Sequence, residues 1–290
     1  MLSPQTHRAG LLAAVTGALF LTPDSLLIHL SMADSWTLAF WRGLMLGCVM
    51  LAGLLVIHGR GLPGLLRTNG RTGLLISVVY AIDILCFVLA VGQTTVANVM
   101  LALATGPMFA ALFSALLMRE RTLPPTWIAI ALVFGGVALA MSQNTTLDGV
   151  HGMLLALMAA AGTGLMFTLV RREPDVDMTP SVMLGGFIVA AAVLPAASPL
   201  DIAPDKIIFV VLQAVVVGPG AYILFLLSLR QISSVEMVMV MRLETVLAPA
   251  LAWAFLGETA SIYTLAGLLL VVVTLFAHSA WKLKQMSEGS

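Results

Sequence analysis

Charge is scarce in this sequence. Only 10% of its 290 residues are Asp, Glu, Lys or Arg, whereas 60% are hydrophobic. Soluble domains carry roughly 25% charged residues, so this composition cannot cover a surface that faces water. The formal net charge of zero also removes the electrostatic case for binding nucleic acid. The composition instead places the chain in a lipid bilayer.

The residue patterns of common catalytic and metal sites are missing as well. The two cysteines, Cys48 and Cys86, lie in apolar stretches, so we expect no extracytoplasmic disulfide framework. The 5 histidines stand at the ends of apolar stretches and never pair on one helix face. Gly218-Pro219-Gly220 lies inside an apolar stretch with no strand before it, which excludes a nucleotide-binding turn. We therefore predict no enzyme, no cofactor and no metal.

Apolar stretches of about 20 residues recur along the whole chain, and this is the length that crosses a hydrocarbon core of about 30 Å. A cleavable signal peptide is not favoured, because the first stretch resumes after Thr22-Pro23-Asp24 without a small-residue cleavage site. We predict an all-α integral membrane protein. Its ten transmembrane helices are expected at residues 10–30, 35–57, 73–92, 94–118, 124–142, 149–170, 179–197, 206–229, 233–256 and 260–281.

The distribution of Lys and Arg predicts the orientation. With the N-terminus inside, the outer loops hold only Lys206 of the 14 basic residues. An excess of positive charge on the cytoplasmic side is the rule for membrane proteins, so both termini are predicted to be cytoplasmic. The inner segments hold Arg8, Arg60, Arg67, Arg71, Arg119, Arg121, Arg171, Arg172, Arg230, Lys282 and Lys284.

The second half of the sequence repeats the first. Residues 85–132 align with residues 223–270 without a gap, and the matches include Gln93 with Gln231. Five helices per half is an odd number, so the second half must enter the membrane in the opposite orientation. Inverted repeats of this kind are typical of secondary transporters, which bind their substrate near the midplane between the halves.

These features predict one transmembrane unit built from two inverted five-helix repeats. The first repeat comprises residues 1–143 and the second comprises residues 144–290. Gly43 and Gly47 form a pair of small residues four positions apart, which predicts close helix packing within this unit.

Asp24 and Arg42 are two of the few ionisable residues predicted at membrane depth. A charge at a helix centre costs about 2.5–3.5 kcal/mol on insertion scales, so each must face protein or water. The two residues occupy similar depths on consecutive antiparallel helices, where they can form a structural ion pair or contact a substrate. Pro23, which precedes Asp24, predicts a kink in the first helix.

Asp83 lies near the centre of the third predicted helix, and Tyr80 shares its helical face. No basic residue in the same helix can neutralise Asp83, which makes it the best candidate for proton coupling. The alternative is that Asp83 pairs with Arg242 and holds the halves together. Tyr222 and Asn98 are further candidates for lining a cavity, together with Gln213, Phe87, Phe225 and Trp253.

Arg242 and Glu244 flank the centre of the ninth predicted helix. Two residues apart on a helix means about 200° of rotation, so the two side chains face different neighbours. An arginine at this depth is suited to hold a substrate carboxylate, although both residues could be purely structural. Helix-breaking residues occur at Gly106-Pro107, Gly218-Pro219-Gly220 and Pro249, where they can curve the helices or act as hinges.

Two motifs in the second half carry a family resemblance. Leu243-Glu244-Thr245-Val246-Leu247 and Trp253-Ala254-Phe255-Leu256-Gly257-Glu258 resemble a motif of the drug/metabolite transporter superfamily, specifically of its ten-helix EamA-type members. Phe40-Trp41-Arg42 and Gly106-Pro107 followed by Glu120 are similar to the first-repeat motif. The sequence departs from the pattern at Thr245, where proline usually follows the glutamate, and at Arg119, where glycine is usual.

The resemblance implies a multi-pass secondary transporter of the bacterial inner membrane, with a cavity walled by helices one, three, four, six, eight and nine. It implies export of small metabolites, and the aromatic and general amino-acid exporters are the best match. Glu120 and Glu258 would close the fourth and ninth helices. We expect a monomer or weak homodimer whose partners are a small-molecule substrate and the lipid bilayer.

In this hypothesis Arg242 binds the substrate carboxylate, Asp83 or Glu244 binds the ammonium group or a proton, and Tyr80 and Tyr222 shape the pocket. Two other functions stay open. One is a multidrug efflux pump for lipophilic cations, and the other is an uncoupled metabolite facilitator.

Overall fold

The computed structural model describes residues 4–118, 124–142, 147–173, 176–229, 231 and 234–288. Helices joined by short turns account for this part of the chain. A 3₁₀ turn at Gly59–Gly61 precedes α4, and a π-helical segment at Leu212–Val217 joins α11 to α12. The α-helices are α1 Pro4–Leu21, α2 Asp24–Ser31, α3 Ser35–His58, α4 Leu62–Thr68, α5 Gly70–Gln93, α6 Val96–Leu103, α7 Gly106–Leu117, α8 Pro124–Met141, α9 Leu147–Arg172, α10 Thr179–Val193, α11 Ile207–Val211, α12 Gly218–Leu229, α13 Ser234–Leu256 and α14 Ile262–Glu288.

Seven helical stretches among the described residues are long and apolar enough to cross a bilayer. Three shorter apolar helices, Thr179–Val193, Leu243–Leu256 and Ile262–Thr274, coincide with the seventh, ninth and tenth predicted spans. The prediction of an all-helical fold is therefore confirmed for the described residues, and their apolar helices are consistent with a membrane protein. The count of ten spans and the side of the termini stay predictions. The seven stretches are His7–Ser31, Ser35–Thr68, Gly70–Gln93, Val96–Leu117, Pro124–Met141, Gly149–Val170 and Ile207–Phe225.

Breaks close to a proline interrupt three of these stretches, and Ser35–Thr68 contains the 3₁₀ turn. The first breaks at Thr22-Pro23, between α1 and α2, as the proline predicts. The stretch Val96–Leu117 breaks before Gly106-Pro107, and Ile207–Phe225 widens into the π-helical segment before Gly218-Pro219. By contrast, α13 continues through Pro249. Interrupted helices at membrane depth are tolerated where protein or cavity water satisfies the freed backbone groups.

The packing between the two halves follows a two-fold pattern. Helix α5, in the third span of the first half, packs against α9, the first span of the second half. Correspondingly, α12, in the third span of the second half, packs against α1, in the first span of the first half. In the same way α7 packs against α9, while α13 packs against α1. Three pairs join corresponding helices directly: α3 with α10, α6 with α13, and α8 with α14. The contacts named here therefore occur with the roles of the two halves exchanged.

Glycines allow the closest of these contacts. A Cβ atom built on Gly43 of α3 would lie 2.6 Å from the carbonyl oxygen of Gly186 on α10, and one on Gly186 would lie 2.7 Å from the carbonyl oxygen of Gly43. A Cβ atom built on Gly136 of α8 would similarly lie 2.9 Å from the carbonyl oxygen of Gly267 on α14. The prediction of close packing at Gly43 is confirmed, and small residues let these helix backbones approach without side chains between them.

Hydrogen bonds at the helix ends fix the relative directions of the helices. The loop after α10 returns to the start of α3, where Trp41 Nε1 donates to the Pro199 carbonyl at 3.1 Å and the Ser198 N–H donates to Thr37 Oγ1 at 2.9 Å. At the other end of α10, Ser181 is hydrogen-bonded to Asn69, which precedes α5, at 2.9 Å. Helix α10 thus runs antiparallel to α3 and parallel to α5, as alternating spans require.

Candidate functional site

A small cavity lies between helices of the two halves. Its walls come from α3 and α5 on one side and from the π-helical segment and α12 on the other. Polar and aromatic side chains face it in a molecule that is otherwise apolar. The lining residues are Arg42, Leu46, Tyr80, Gln213, Ala214, Gly218, Pro219 and Tyr222.

An ion pair stands at the wall of this cavity. Arg42 Nη1 donates to both carboxylate oxygens of Asp24, at 2.8 Å to Oδ1 and 2.6 Å to Oδ2. Asp24 is 1% exposed and does not line the cavity, whereas the Arg42 side chain does. The pairing that the similar depths suggested is therefore present. Asp24 lies behind Arg42 and holds the guanidinium against the cavity.

Gln213 completes this cluster from the second half. Its Nε2 donates to Asp24 Oδ1 at 3.0 Å, so the first residue of α2 is joined to the π-helical segment. Two interrupted helices, one from each half, thus meet at a single carboxylate. Sequence reasoning considered Gln213 as a cavity residue but did not include it among the binding residues. The sequence feature that points to Gln213 is an amide side chain within an apolar stretch, five residues before the break at Gly218-Pro219.

The Arg42 guanidinium has capacity left for a ligand. Both of its hydrogen bonds to described residues come from Nη1, although a guanidinium carries five N–H donors. Its Cζ atom lies 5.1 Å from the centre of the Phe87 ring, which supports the cation through its π face. Arg42 is therefore fixed by Asp24 and Phe87 while it also faces the cavity.

Two tyrosines form the aromatic part of the wall. The rings of Tyr80 on α5 and Tyr222 on α12 meet edge to face, with centroids 5.6 Å apart and an interplanar angle of 83°. Tyr80 is 1% exposed, so its position is fixed by packing. Both residues were predicted to shape the pocket, and the structure brings them together across the interface between the halves.

Asp83 lies one turn along α5 from Tyr80 but outside the cavity lining. Thr163 Oγ1 donates to Asp83 Oδ1 at 3.1 Å, and Gly162 of α9 packs against the Asp83 Cβ atom. Asp83 therefore faces α9, next to the cavity rather than within it.

Asn98 is placed elsewhere. Its Nδ2 donates to Thr94 Oγ1 at 2.9 Å, and its Oδ1 accepts from Thr264 Oγ1 at 2.9 Å. These bonds link α6 to α14, and Asn98 does not line the cavity. Of the other aromatic candidates, Phe225 packs against Gly17, and the Trp253 side chain is 66% exposed on the outer surface of the bundle.

The remaining predicted binding residues lie on α13. The Arg242 side chain lies outside the described residues, so its role as a carboxylate clamp stays a prediction, as does its pairing with Asp83. Glu244 is half-buried on the same helix. Glu120 also lies outside the described residues.

Glu258 follows the end of α13 and joins three helices. Its Oε2 accepts a hydrogen bond from the Val96 N–H at 3.0 Å, at the first turn of α6, where backbone donors lack partners within the helix. Its Oε1 lies 3.3 Å from His29 Nε2 near the end of α2. Glu258 thus ties the start of α6 to the ends of α2 and α13, which extends the closing role implied by the resemblance.

Apolar helices in two mutually packed halves, with a polar cavity between them, define a multi-pass membrane protein of the transporter class. The EamA-like transporter family model matches this sequence twice, at residues 8–142 and at residues 150–279. The chain belongs to this family, which is part of the drug/metabolite transporter superfamily, and it carries one copy of the family unit in each half. The predicted family is confirmed.

A solved crystal structure is similar to this one over nearly the whole of both chains. The TM-score is 0.64, the sequence identity is 16%, and the match covers 97% of this chain and 99% of the other. At this identity the likeness concerns the fold alone. No curated protein sequence matches the chain.

Proposed function

We propose that this protein exports small zwitterionic metabolites, amino acids above all, across the bacterial inner membrane by alternating access. The observation that supports this proposal is the cavity between the two halves, with Arg42 and two tyrosines in its wall. Transporters built from repeats bind their substrates at such an interface near the midplane. Membership of a transporter family supplies the general activity, and the cavity suggests the class of substrate.

In this proposal Arg42 binds the substrate carboxylate. A guanidinium offers planar, paired donors that match the two oxygens of a carboxylate, and Arg42 retains such donors beside the cavity. Asp24 positions Arg42, while Tyr80 and Tyr222 shape the pocket. Asp83, beside the cavity on α5, is proposed to bind the ammonium group or a coupling proton. Arg242 remains a second candidate for the carboxylate.

Counterflow of labelled amino acids in proteoliposomes tests the role of Arg42. Arg42→Ala is expected to reduce flux by more than tenfold, and Arg42→Lys is expected to restore only part of it, because an ammonium group lacks the planar fork. Arg60→Ala, which changes an exposed arginine in the 3₁₀ turn, is the matched control and should leave flux unchanged. Unchanged flux in folded Arg42→Ala would remove Arg42 from the mechanism, and the same assay with Arg242→Ala tests the second candidate.

The arginine in the cavity wall favours a substrate that carries a carboxylate over a lipophilic cation. A pump for lipophilic cations needs no arginine in its wall. Inhibition of counterflow by quaternary ammonium dyes but not by amino acids would support the drug pump instead. Counterflow that is independent of pH between about pH 5 and 8 would support an uncoupled facilitator.

A further inference from the structure

Gln213 contains a buried acceptor without a partner. The residue is 1% exposed, and its Oε1 atom makes no hydrogen bond within the described part of the chain. The orientation of the amide follows from its other atom. Nε2 donates to Asp24 Oδ1, and a carboxylate that already accepts from Arg42 can only accept, so the nitrogen must face Asp24. The carbonyl oxygen is therefore the amide atom that has no hydrogen-bond partner among the described residues.

A buried amide oxygen without a donor destabilises a folded protein, and such atoms are rare. Gln213 lies in the wall of the cavity, in a π-helical segment of the kind that often marks a functional site. The residue that carries the unpaired oxygen is therefore part of the cavity wall. A ligand that donates a hydrogen bond to this oxygen would remove the destabilisation.

The neighbouring cation limits what this ligand can be. Arg42 Nη1 and Gln213 Nε2 donate to the same oxygen of Asp24, at 2.8 Å and 3.0 Å, so the guanidinium and the amide are adjacent. A small ligand can contact both only if its anionic group and its donor group stand close together. An α-amino acid has this arrangement, whereas an ω-amino acid separates the two groups by several bonds.

We propose that Gln213 is a specificity-determining residue whose carbonyl oxygen accepts a hydrogen bond from the ammonium group of an α-amino acid, while Arg42 holds the adjacent carboxylate. This inference rests on the proposed function and names the substrate class of the same cavity. In this proposal Gln213 allows the protein to bind α-amino acids more tightly than ligands that carry only the carboxylate.

Three small probes separate these features. L-Valine carries both groups on one carbon atom, its isomer 5-aminovalerate carries them at opposite ends of the chain, and isovalerate lacks the ammonium group. A ligand that binds the folded state raises the melting temperature, and the stabilisation grows with the logarithm of the ligand concentration relative to Kd. Titrations of the full chain in detergent therefore give each Kd. Wild-type protein is expected to bind L-valine at least about tenfold more tightly than either other probe, the range for a hydrogen bond to a charged group.

Gln213→Met keeps the length of the side chain and removes both its carbonyl oxygen and the Nε2 donor to Asp24. Isovalerate, which needs Arg42 but not the oxygen, reports on the second loss. Affinity for L-valine is expected to fall about tenfold or more, to the level of isovalerate, while affinity for isovalerate stays within about twofold. Thr274→Val is the matched control, since it removes a buried hydroxyl that bonds only within α14, to the Leu270 carbonyl. It should leave all three affinities unchanged. If Gln213→Met does not fold, Gln213→Asn can replace it. Asparagine is shorter by one methylene group, so its oxygen lies farther from the ligand, and affinity for L-valine should fall by a smaller factor.

The possible failures are distinguishable. Equal loss of L-valine and isovalerate binding in Gln213→Met would mean that Gln213 only supports the cavity, which overturns the inference and leaves the proposed function in place. Equal binding of L-valine and isovalerate by the wild type, or of L-valine and 5-aminovalerate, would overturn it as well. If none of the probes stabilises the wild type, both the inference and amino-acid export are overturned.

Discussion

At the scale of single residues, a buried arginine requires a partner. Asp24 and Arg42 are joined by two short hydrogen bonds, and neither side chain is more than 13% exposed. The arrangement can be inferred in part from the sequence, because the two residues occupy similar depths on consecutive helices. The bond from Gln213 to Asp24 cannot be inferred in this way, because it joins residues 189 positions apart and depends on how the two halves pack.

Removal of one partner of this pair is expected to leave an uncompensated buried charge. Asp24→Ala and Arg42→Ala should each lower the free energy of unfolding by about 3–5 kcal/mol, and the double variant should lose less than the sum of the two. Unfolding of the purified protein in detergent measures all three. Asp205→Ala is the control, since it breaks an exposed pair with Lys206 at 3.6 Å and should have little effect. Additive losses would show that the pair does not contribute as a unit.

At the scale of helices, the apolar stretches predict where helices lie, and Pro23 predicts the break in the first one. Pro249 shows the limit of this reasoning, because α13 continues through it. Gly218-Pro219-Gly220 predicts a break in the eighth span, but it does not predict that the helix widens into a π-helical segment at Leu212–Val217 before the break. The short helix α4, Leu62–Thr68, was likewise not predicted within the segment between the second and third spans.

The contact between α3 and α10 leads to a prediction with a control on the same helix. Gly43→Ala places a methyl group against Val189 and the Gly186 backbone, and such overpacking should lower the free energy of unfolding by about 1–3 kcal/mol. Gly53→Ala lies further along α3 with no atom within 4 Å of the added Cβ, so it should be neutral or slightly stabilising. Melting temperatures of the two variants provide the measurement. Equal effects would mean that the two helices do not meet at Gly43.

The link made by Glu258 between helices also has an expected effect. Glu258→Ala removes the acceptor for the Val96 N–H at the start of α6 and should lower the free energy of unfolding by about 1 kcal/mol, as for other N-terminal caps. Glu258→Gln retains an oxygen acceptor and should recover most of the loss. Thermal unfolding compares the two variants. A glutamine variant as unstable as the alanine variant would indicate that the charge beside His29 matters more than the cap.

At the scale of the whole molecule, the repeat predicts an architecture of two halves and the sequence motifs predict the family, because both can be read from the linear sequence. The resemblance implied a cavity between the halves, but its wall could not be predicted in detail, because it combines residues from both halves. Arg42 and Leu46 lie on the second helix, which the resemblance did not place in the wall. Asn98 illustrates the difference. Its depth suggested a cavity residue, whereas its hydrogen bonds place it between α6 and α14.

Orientation in the membrane can be measured by cysteine labelling. Cys48 and Cys86 are first replaced by alanine, and single cysteines are then introduced at Leu200 and Gly64. Leu200 is 96% exposed in the loop between α10 and α11, and Gly64 is exposed on α4. With both termini inside, a membrane-impermeant maleimide should label Leu200→Cys in intact cells and Gly64→Cys only after the membrane is disrupted. The reverse pattern would invert the predicted topology.

The two-fold pattern of contacts has a consequence for the assembly of the protein. Helix α3 meets its own counterpart α10, and α8 meets α14, which is the geometry of an isologous interface between two like subunits. The chain therefore resembles a dimer whose subunits are joined end to end. The two halves contact each other through corresponding helices, and these contacts hold the halves together. The connection between α8 and α9 ensures that one copy of each half is made.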